Sequence, residues 1–119
     1  MSAKSKTFSV KKSRAKSKGM DTFVFQIGGE PEEIFKRDYN QLKSCDILIA
    51  EVSERSHGVG IEIGISFSLG HKIILLHQKG TSVTPLAHGI PKTQIIEYEN
   101  LNDLKEKLSL ALDKYNLKE

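Results

Sequence analysis

Short apolar runs alternate with amphipathic stretches along most of this chain. Residues 47–52 and 72–77 are mostly β-branched or otherwise apolar, and runs of this length and composition predict buried strands. Residues 93–98 predict a last strand. The aromatic and β-branched residues 22–27, which end at a pair of glycines, predict a further strand. Residues 7–10 give a weaker strand signal.

Helices are expected between and after these strands. Pro31 suits the first position of one helix. The apolar residues after it recur at helical spacing: Ile34, Phe35, Tyr39 and Leu42. A second helix is expected over residues 61–69, ended by Gly70, and Asn100 or Asn102 can cap a third. This alternation predicts an α/β fold, with a parallel sheet and helices on both faces.

The composition is that of one small globular domain. The 119 residues are 38% hydrophobic and 28% charged, and no apolar run is long enough to cross a bilayer. The basic N-terminal residues have no apolar segment behind them, so we expect no secretory signal. Cys45 is the only cysteine, which rules out an internal disulfide and predicts a reducing, cytoplasmic location.

Charge divides the chain into two parts. Residues 1–20 hold seven of the 18 basic residues and none of the 15 acidic ones, so residues 21–119 carry a net charge of −4. We therefore expect a basic, flexible tail over residues 1–20 and an α/β domain over residues 21–119. Nucleic-acid binding by the tail is the less favoured interpretation.

The stretch from residue 45 to residue 64 combines a strand, a polar loop and a helix that begins with glycines. Ligands of open α/β sheets bind at such loops, outside the carboxyl ends of the strands. Glu62 is expected in the first turn of this helix, among apolar neighbours. The helix N-terminus favours the anion by roughly 0.3–1 kcal/mol, whereas burial disfavours it. A poorly solvated carboxylate suits a nucleophile; the alternative is an ordinary first-turn glutamate.

Asp38 is the second carboxylate of interest. It lies on or beside the apolar stripe of the first helix, where the simplest role is pairing with Arg37. Two carboxylates that flank one substrate are the minimum for splitting a glycosidic bond. Ser56 supplies a hydroxyl where free helix N–H groups point, which suits a phosphate. The histidines have no ligand spacing and the glycines do not fit a dinucleotide fingerprint, so no metal or cofactor is expected.

Residues 38–64 resemble the nucleoside 2-deoxyribosyltransferase family, and most closely its branch of 2'-deoxynucleoside 5'-phosphate N-hydrolases. The family pattern is an aspartate, then D-x-x-x-A-E-V, then S-x-G-V-G-x-E-x-G, and every element stands in this sequence with matching spacing. The similarity extends over about residues 34–89.

The resemblance implies a flavodoxin-like fold and cleavage of N-glycosidic bonds, by hydrolysis or by base transfer, in a homodimer without a cofactor. It implies that Glu62 is the nucleophile and that Asp38 assists the departing base. Ser56 would contact the 5'-phosphate. The remaining substrate-binding residues implied by position are Gly58, Gly60 and Thr84.

The sequence departs from the family at its N-terminus. Family members begin with a strand and a loop of the form Y-F-A/C-G-S-I-R-G-G, which holds sugar and phosphate, and residues 1–21 do not match it. We therefore expect the N-terminal strand of the family to be missing or replaced. A non-catalytic nucleotide-binding relative is the alternative function.

Overall fold

One mixed sheet organises the chain. The computed structural model describes residues 6–10, 22–24 and 29–116, and in these residues the strand order is β2-β1-β3-β4-β5. The strands are β1 (Lys6–Val10), β2 (Thr22–Val24), β3 (Ile47–Glu51), β4 (Lys72–Gln78) and β5 (Thr93–Tyr98). The helices are α1 (Pro31–Lys43), α2 (His57–Ser68), α3 (Pro85–His88) and α4 (Leu101–Asn116).

The strand order is the flavodoxin-like order 2-1-3-4-5, with the first strand reversed. β3, β4 and β5 pair in parallel, as the sequence predicts, whereas β1 is antiparallel to both β2 and β3. Only residues 11–21 separate β1 from β2, and a parallel crossover needs a dozen residues or more. The flavodoxin-like fold class is thus confirmed, with a replaced N-terminal strand.

β1 lies within residues 1–20, the segment expected to be a basic tail. Its residues pair with strands on both sides, so this part of the segment belongs to the sheet. Residues 1–5 and 11–21 lie outside the described residues, as do residues 25–28, which include the end of the strand predicted over 22–27.

Helices cover both faces of the sheet. One core cluster joins β3, β4 and β5 to α4, and Phe8 of β1 packs against it. The other cluster joins β3 and β4 to α1, α2 and α3. Alternate side chains of β1 point the other way from Phe8, and this places Thr7 and Ser9 on the face of α1 and α2. Both are almost fully buried.

The helix that carries Glu62 begins earlier than expected. Ser56 is its N-cap and its Oγ accepts a hydrogen bond from the Val59 N–H at 3.3 Å. The helix therefore begins at His57 instead of residue 61, and Glu62 lies in the second turn, so the prediction of a first-turn glutamate is wrong. Gly58 and Gly60 have poor helix propensity, but the cap and the buried Val59 outweigh it.

Other helix ends follow their sequence signals. Pro85 opens the short α3, and the Asn100 side chain accepts a hydrogen bond from the Asp103 N–H at 2.9 Å before α4, which identifies Asn100 as the cap. Gly70 has a φ of 81° just after α2, a conformation that glycine adopts without strain. Within the described ranges, no helix is long and apolar enough to cross a membrane.

Candidate active site

Glu62 and Asp38 meet between α2 and α1. The two side chains lie near enough for the charge of Asp38 to raise the pKa of Glu62, with a smaller hydrogen-bond contribution in the same direction. Asp38 also accepts a hydrogen bond from Arg37 Nε at 3.2 Å, and its side chain is only 16% exposed. The structure therefore gives Asp38 its expected pairing with Arg37 and also an interaction with Glu62, which the sequence predicted only as a second carboxylate flanking the same substrate.

Thr7 is a contact of Glu62 that the sequence did not reveal. Its Oγ1 donates a hydrogen bond to Glu62 Oε1 at 2.6 Å. β1 places this hydroxyl opposite Ala50 of β3, close to the carboxyl end of that strand. The sequence gives one signal for this contact, the hydroxyl residues Thr7 and Ser9 on either side of Phe8. If that polar strand face is buried, its hydroxyls require hydrogen-bond partners.

The balance of these contacts raises the pKa of Glu62 above its ordinary value. Burial, which removes water from the carboxylate, is the largest cause. The Thr7 hydrogen bond acts in the opposite direction and lowers the pKa, while the charge and hydrogen bond of Asp38 raise it further. The helix dipole falls off within the first turn, so it contributes little to a glutamate in the second turn.

A cavity of about 690 Å³ lies on the other flank of α2. Ser56, Gly60 and Thr84 line it, together with other residues of the loop after β3 and the segment before α3. Glu62 and Asp38 are not among its lining residues. Positions two apart on a helix point about 200° apart, so Gly60 and Glu62 face opposite sides of the buried stripe. The structure thus divides the predicted site residues into two groups.

Gly58 lies near residues of both groups. It lies one helical turn before Glu62, on the same flank of α2, and a Cβ on it would come within 3.9 Å of Ser56 Oγ. A Cβ on Gly60 would meet no atom within 4 Å. Neither glycine has a positive φ, so the backbone does not require glycine here. These positions leave the helix N-terminus open to a close ligand.

A second buried carboxylate fixes the loop that precedes α2. Glu51 accepts hydrogen bonds from the Ser53 N–H at 2.6 Å, from the Ser53 hydroxyl at 3.0 Å and from the Tyr98 hydroxyl. The Gln78 N–H donates to Ser53 Oγ at 2.8 Å. Burial, followed by the hydrogen bond and charge of Glu51, raises the pKa of Tyr98 to about 12. The sequence identified Glu51 only as part of the family motif and did not predict these contacts.

No metal site is formed by the part of the chain that the structure describes, because it contains no cluster of three or more His, Cys, Asp or Glu side chains that could hold an ion. The site instead offers two carboxylates in contact, a buried hydroxyl donor and a nearby helix N-terminus with an open cavity. Such an arrangement can supply a nucleophile, a proton donor and an anion-binding surface without a metal.

The fold and the site define a flavodoxin-like α/β domain with two interacting carboxylates, one on α1 and one on α2. The family model described as nucleoside 2-deoxyribosyltransferase matches residues 9–109. The chain belongs to the nucleoside 2-deoxyribosyltransferase family, as the motif in residues 38–64 predicts.

Several similar proteins are named as N-hydrolases or N-glycosidases. A protein of Thermofilum pendens named 2'-deoxynucleoside 5'-phosphate N-hydrolase 1 is 33% identical over 96 residues, which are 77% of this chain and 67% of that one. The 5-hydroxymethyl-dUMP N-hydrolase of Rattus norvegicus is 33% identical over 66 residues, 54% of this chain and 40% of that one.

The structure of the CMP N-glycosidase BcmB from Clostridium botulinum is also similar. It superimposes with a TM-score of 0.63 at 32% sequence identity, over 70% of this chain and 71% of that one.

Apart from the Thermofilum protein, the curated relatives are matched over only 38–51% of their own length.

Proposed function

We propose that this protein cleaves the N-glycosidic bond of 2'-deoxynucleosides or their 5'-monophosphates, with Glu62 as the nucleophile. The observation that carries the proposal is the contact between a half-buried Glu62 and Asp38 in a member of this family. Relatives that share the fold and about a third of the sequence are named for this kind of cleavage. Cys45 is buried and free of any disulfide, which fits a reducing, cytoplasmic location.

The proposed reaction proceeds in two steps. The Glu62 carboxylate attacks C1' of the sugar, the bond from C1' to the base nitrogen breaks, and its electron pair leaves with the base, which takes a proton from the Asp38 carboxyl group. A glycosyl ester on Glu62 results. Asp38 then removes a proton from water, the resulting hydroxide attacks C1', and the ester bond breaks to restore the Glu62 carboxylate. A second base in place of water would make the same enzyme a transferase.

Substrate binding is assigned to the open surface at the start of α2. We place a 5'-phosphate near Ser56 and Gly58, where the unpaired N–H groups of a helix N-terminus favour anions. The sugar would then reach Glu62 along the Gly58 flank of the helix. Gly60 and Thr84 line the adjacent cavity, whose volume lies within the usual range for small-molecule sites.

Direct detection of free base tests the proposal. The full chain is incubated with each deoxynucleoside 5'-monophosphate and with each free deoxynucleoside, and released base is quantified by chromatography. Addition of a second base then distinguishes transfer from hydrolysis. Calorimetric binding of a nucleotide without base release over long incubation would contradict the proposal and favour a non-catalytic nucleotide-binding relative.

Asp38→Asn is expected to lower kcat by about 10²–10⁴-fold, the usual contribution of a general acid and base. The remaining activity should also lose the part of its pH dependence that reports the proton donor, because an amide does not act as a general acid. A pH profile of kcat/KM for each variant measures both effects. Asp113→Asn, on the exposed side of α4, is the control, and an unchanged profile for Asp38→Asn would contradict the assignment.

We also propose that a second copy of the chain covers the apolar face formed by α2 and α3. A groove of about 570 Å³ runs between these helices, and Leu86 on its rim is 82% exposed, with Phe67 and Ile61 also exposed. Gly60 and Thr84 line both this groove and the larger cavity. A partner seated on the groove would therefore also shield the cavity from water, which links the dimer to substrate binding.

Leu86→Asp is expected to convert the dimer into a monomer, because a charge within an apolar contact is costly to bury without a partner. Light scattering coupled to size-exclusion chromatography measures the mass of each variant. Leu110→Asp, at another exposed apolar position on α4, is the matched control. A monomeric wild-type chain that remains fully active would exclude the dimer from the mechanism.

A further inference from the structure

The geometry points to Thr7 as the residue that positions the nucleophile, with its hydroxyl holding one oxygen of the Glu62 carboxylate. Its catalytic consequence rests on the proposed function, but the contact itself does not. Neither the family motif nor the names of the relatives assign a role to this position, which lies before the residues that the family model matches.

The position of Thr7 is fixed from several sides. The side chain is 2% exposed, and β1 is held by backbone hydrogen bonds to both β2 and β3. A threonine hydroxyl has one hydrogen to donate, and here it is directed to Glu62 Oε1 at 2.6 Å. The carboxylate therefore has one oxygen tied to the sheet, while Oε2 is not engaged by Thr7.

Such a contact would serve a nucleophile in two ways. It restricts the rotation of a long side chain on α2, and a misplaced reacting group can reduce the rate about 10²-fold. It also favours the ionised carboxylate, because a hydrogen bond donated to the charged form lowers the pKa. Thr7 in this manner opposes the burial and the Asp38 charge that raise the pKa of Glu62.

The chain offers a matched control on the same strand. Ser9 lies two residues further along β1, on the same face, and is 1% exposed. Its Oγ accepts a hydrogen bond from Gln41 Nε2 at 3.3 Å, so this hydroxyl contacts α1 and not Glu62. Ser9→Ala thus removes a buried hydroxyl from the same strand face and tests whether any disturbance of β1 has the same effect as loss of Thr7.

The experiment compares Thr7→Val, Thr7→Ser and Ser9→Ala in the full chain. Valine keeps the shape of threonine without the hydroxyl, and serine keeps the hydroxyl. The titration of Glu62 is followed by carbon-detected NMR of its carboxyl group, and kcat/KM for base release is measured against pH. Thermal unfolding of each variant shows that it is folded.

Thr7→Val is expected to raise the pKa of Glu62, to move the acid limb of the kcat/KM profile to higher pH and to lower kcat/KM by about 10- to 100-fold, the effect of losing a hydrogen bond to a charged group. Thr7→Ser should keep the Glu62 titration and the kcat/KM profile close to those of the wild type. Ser9→Ala should leave the Glu62 titration as in the wild-type chain. An unchanged Glu62 titration in Thr7→Val, or an equal change in Ser9→Ala, would overturn the inference. A wild-type chain without base release would instead refute the proposed function, and the NMR titration would still decide the role of Thr7.

Discussion

Glu62→Gln is expected to abolish base release, with kcat/KM lower by about 10⁴-fold or more, as is found when a nucleophile is removed. An amide lacks the negative charge and nucleophilicity needed to form the glycosyl ester. The amide oxygen can still accept the hydrogen bond from Thr7, so the fold around the site should be retained. Steady-state kinetics of base release from the preferred substrate measures the effect.

Glu106→Gln is the control for this substitution. Glu106 is exposed on α4, on the opposite face of the sheet, and its replacement should leave turnover unchanged. Undiminished base release by Glu62→Gln would remove Glu62 from the mechanism. The proposed role of Asp38 as the acid and base that works with Glu62 would then also be refuted.

Glu62→Gln should also increase the free energy of unfolding at neutral pH. Because the pKa of Glu62 is raised above 4.5 in the folded chain, ionisation of Glu62 opposes folding. This opposition is absent well below pH 4.5 and complete once the pH exceeds the raised pKa. Glu62→Gln should therefore unfold at a higher urea concentration than the wild type at neutral pH, with the difference vanishing in acid. Such a gain in stability with loss of activity is typical of active-site residues.

Glu51→Ala is expected to lower the free energy of unfolding by about 2–4 kcal/mol, because a buried donor that loses its acceptor costs about 1–3 kcal/mol. Glu51 is 8% exposed and accepts hydrogen bonds from Ser53 and from the Tyr98 hydroxyl. Its truncation leaves the hydroxyl of the buried Tyr98 without its acceptor, removes the acceptor of two Ser53 donors and opens a cavity at the carboxyl end of β3. Urea denaturation followed by circular dichroism gives the change in free energy.

A neighbouring glutamate separates the effect of burial from the effect of charge. Glu97 precedes Tyr98 on β5 and its side chain is exposed, so Glu97→Ala should change the stability by no more than about 0.5 kcal/mol. Tyr98→Phe removes a single donor and should lie between the two. Equal destabilisation by Glu51→Ala and Glu97→Ala would show that the hydrogen bonds to Glu51 do not hold the loop before α2.

Local pattern was sufficient for most of the secondary structure. The two apolar runs that became β3 and β4 needed only their length and composition, because strands buried on both faces read as continuous apolar segments. The start of α2 was missed because Gly58 and Gly60 suggest a loop, and only the Ser56 hydroxyl, placed by the preceding strand, shows that the helix begins at His57.

Only part of the candidate site could be predicted from the sequence. The spacing of the motif singled out Glu62, Asp38, Ser56 and the two glycines, and the helical period could have shown that Gly60 and Glu62 face different sides. Thr7 could not be found in this way, since 55 residues separate it from Glu62. A contact over that distance depends on which strand pairs with β3 and in which register.

The sequence by itself determined the α/β class and the family and singled out Asp38 and Glu62 as candidates, because each depends on short-range periodicity or on a motif within one stretch of the chain. The tertiary structure alone decided that β1 runs against its neighbours, that Thr7 reaches Glu62 and that the carboxylates and the larger cavity lie on opposite flanks of α2. These features arise from strand pairing and helix packing between distant segments. The free energies of such contacts depend on the whole fold and leave no local pattern in the chain.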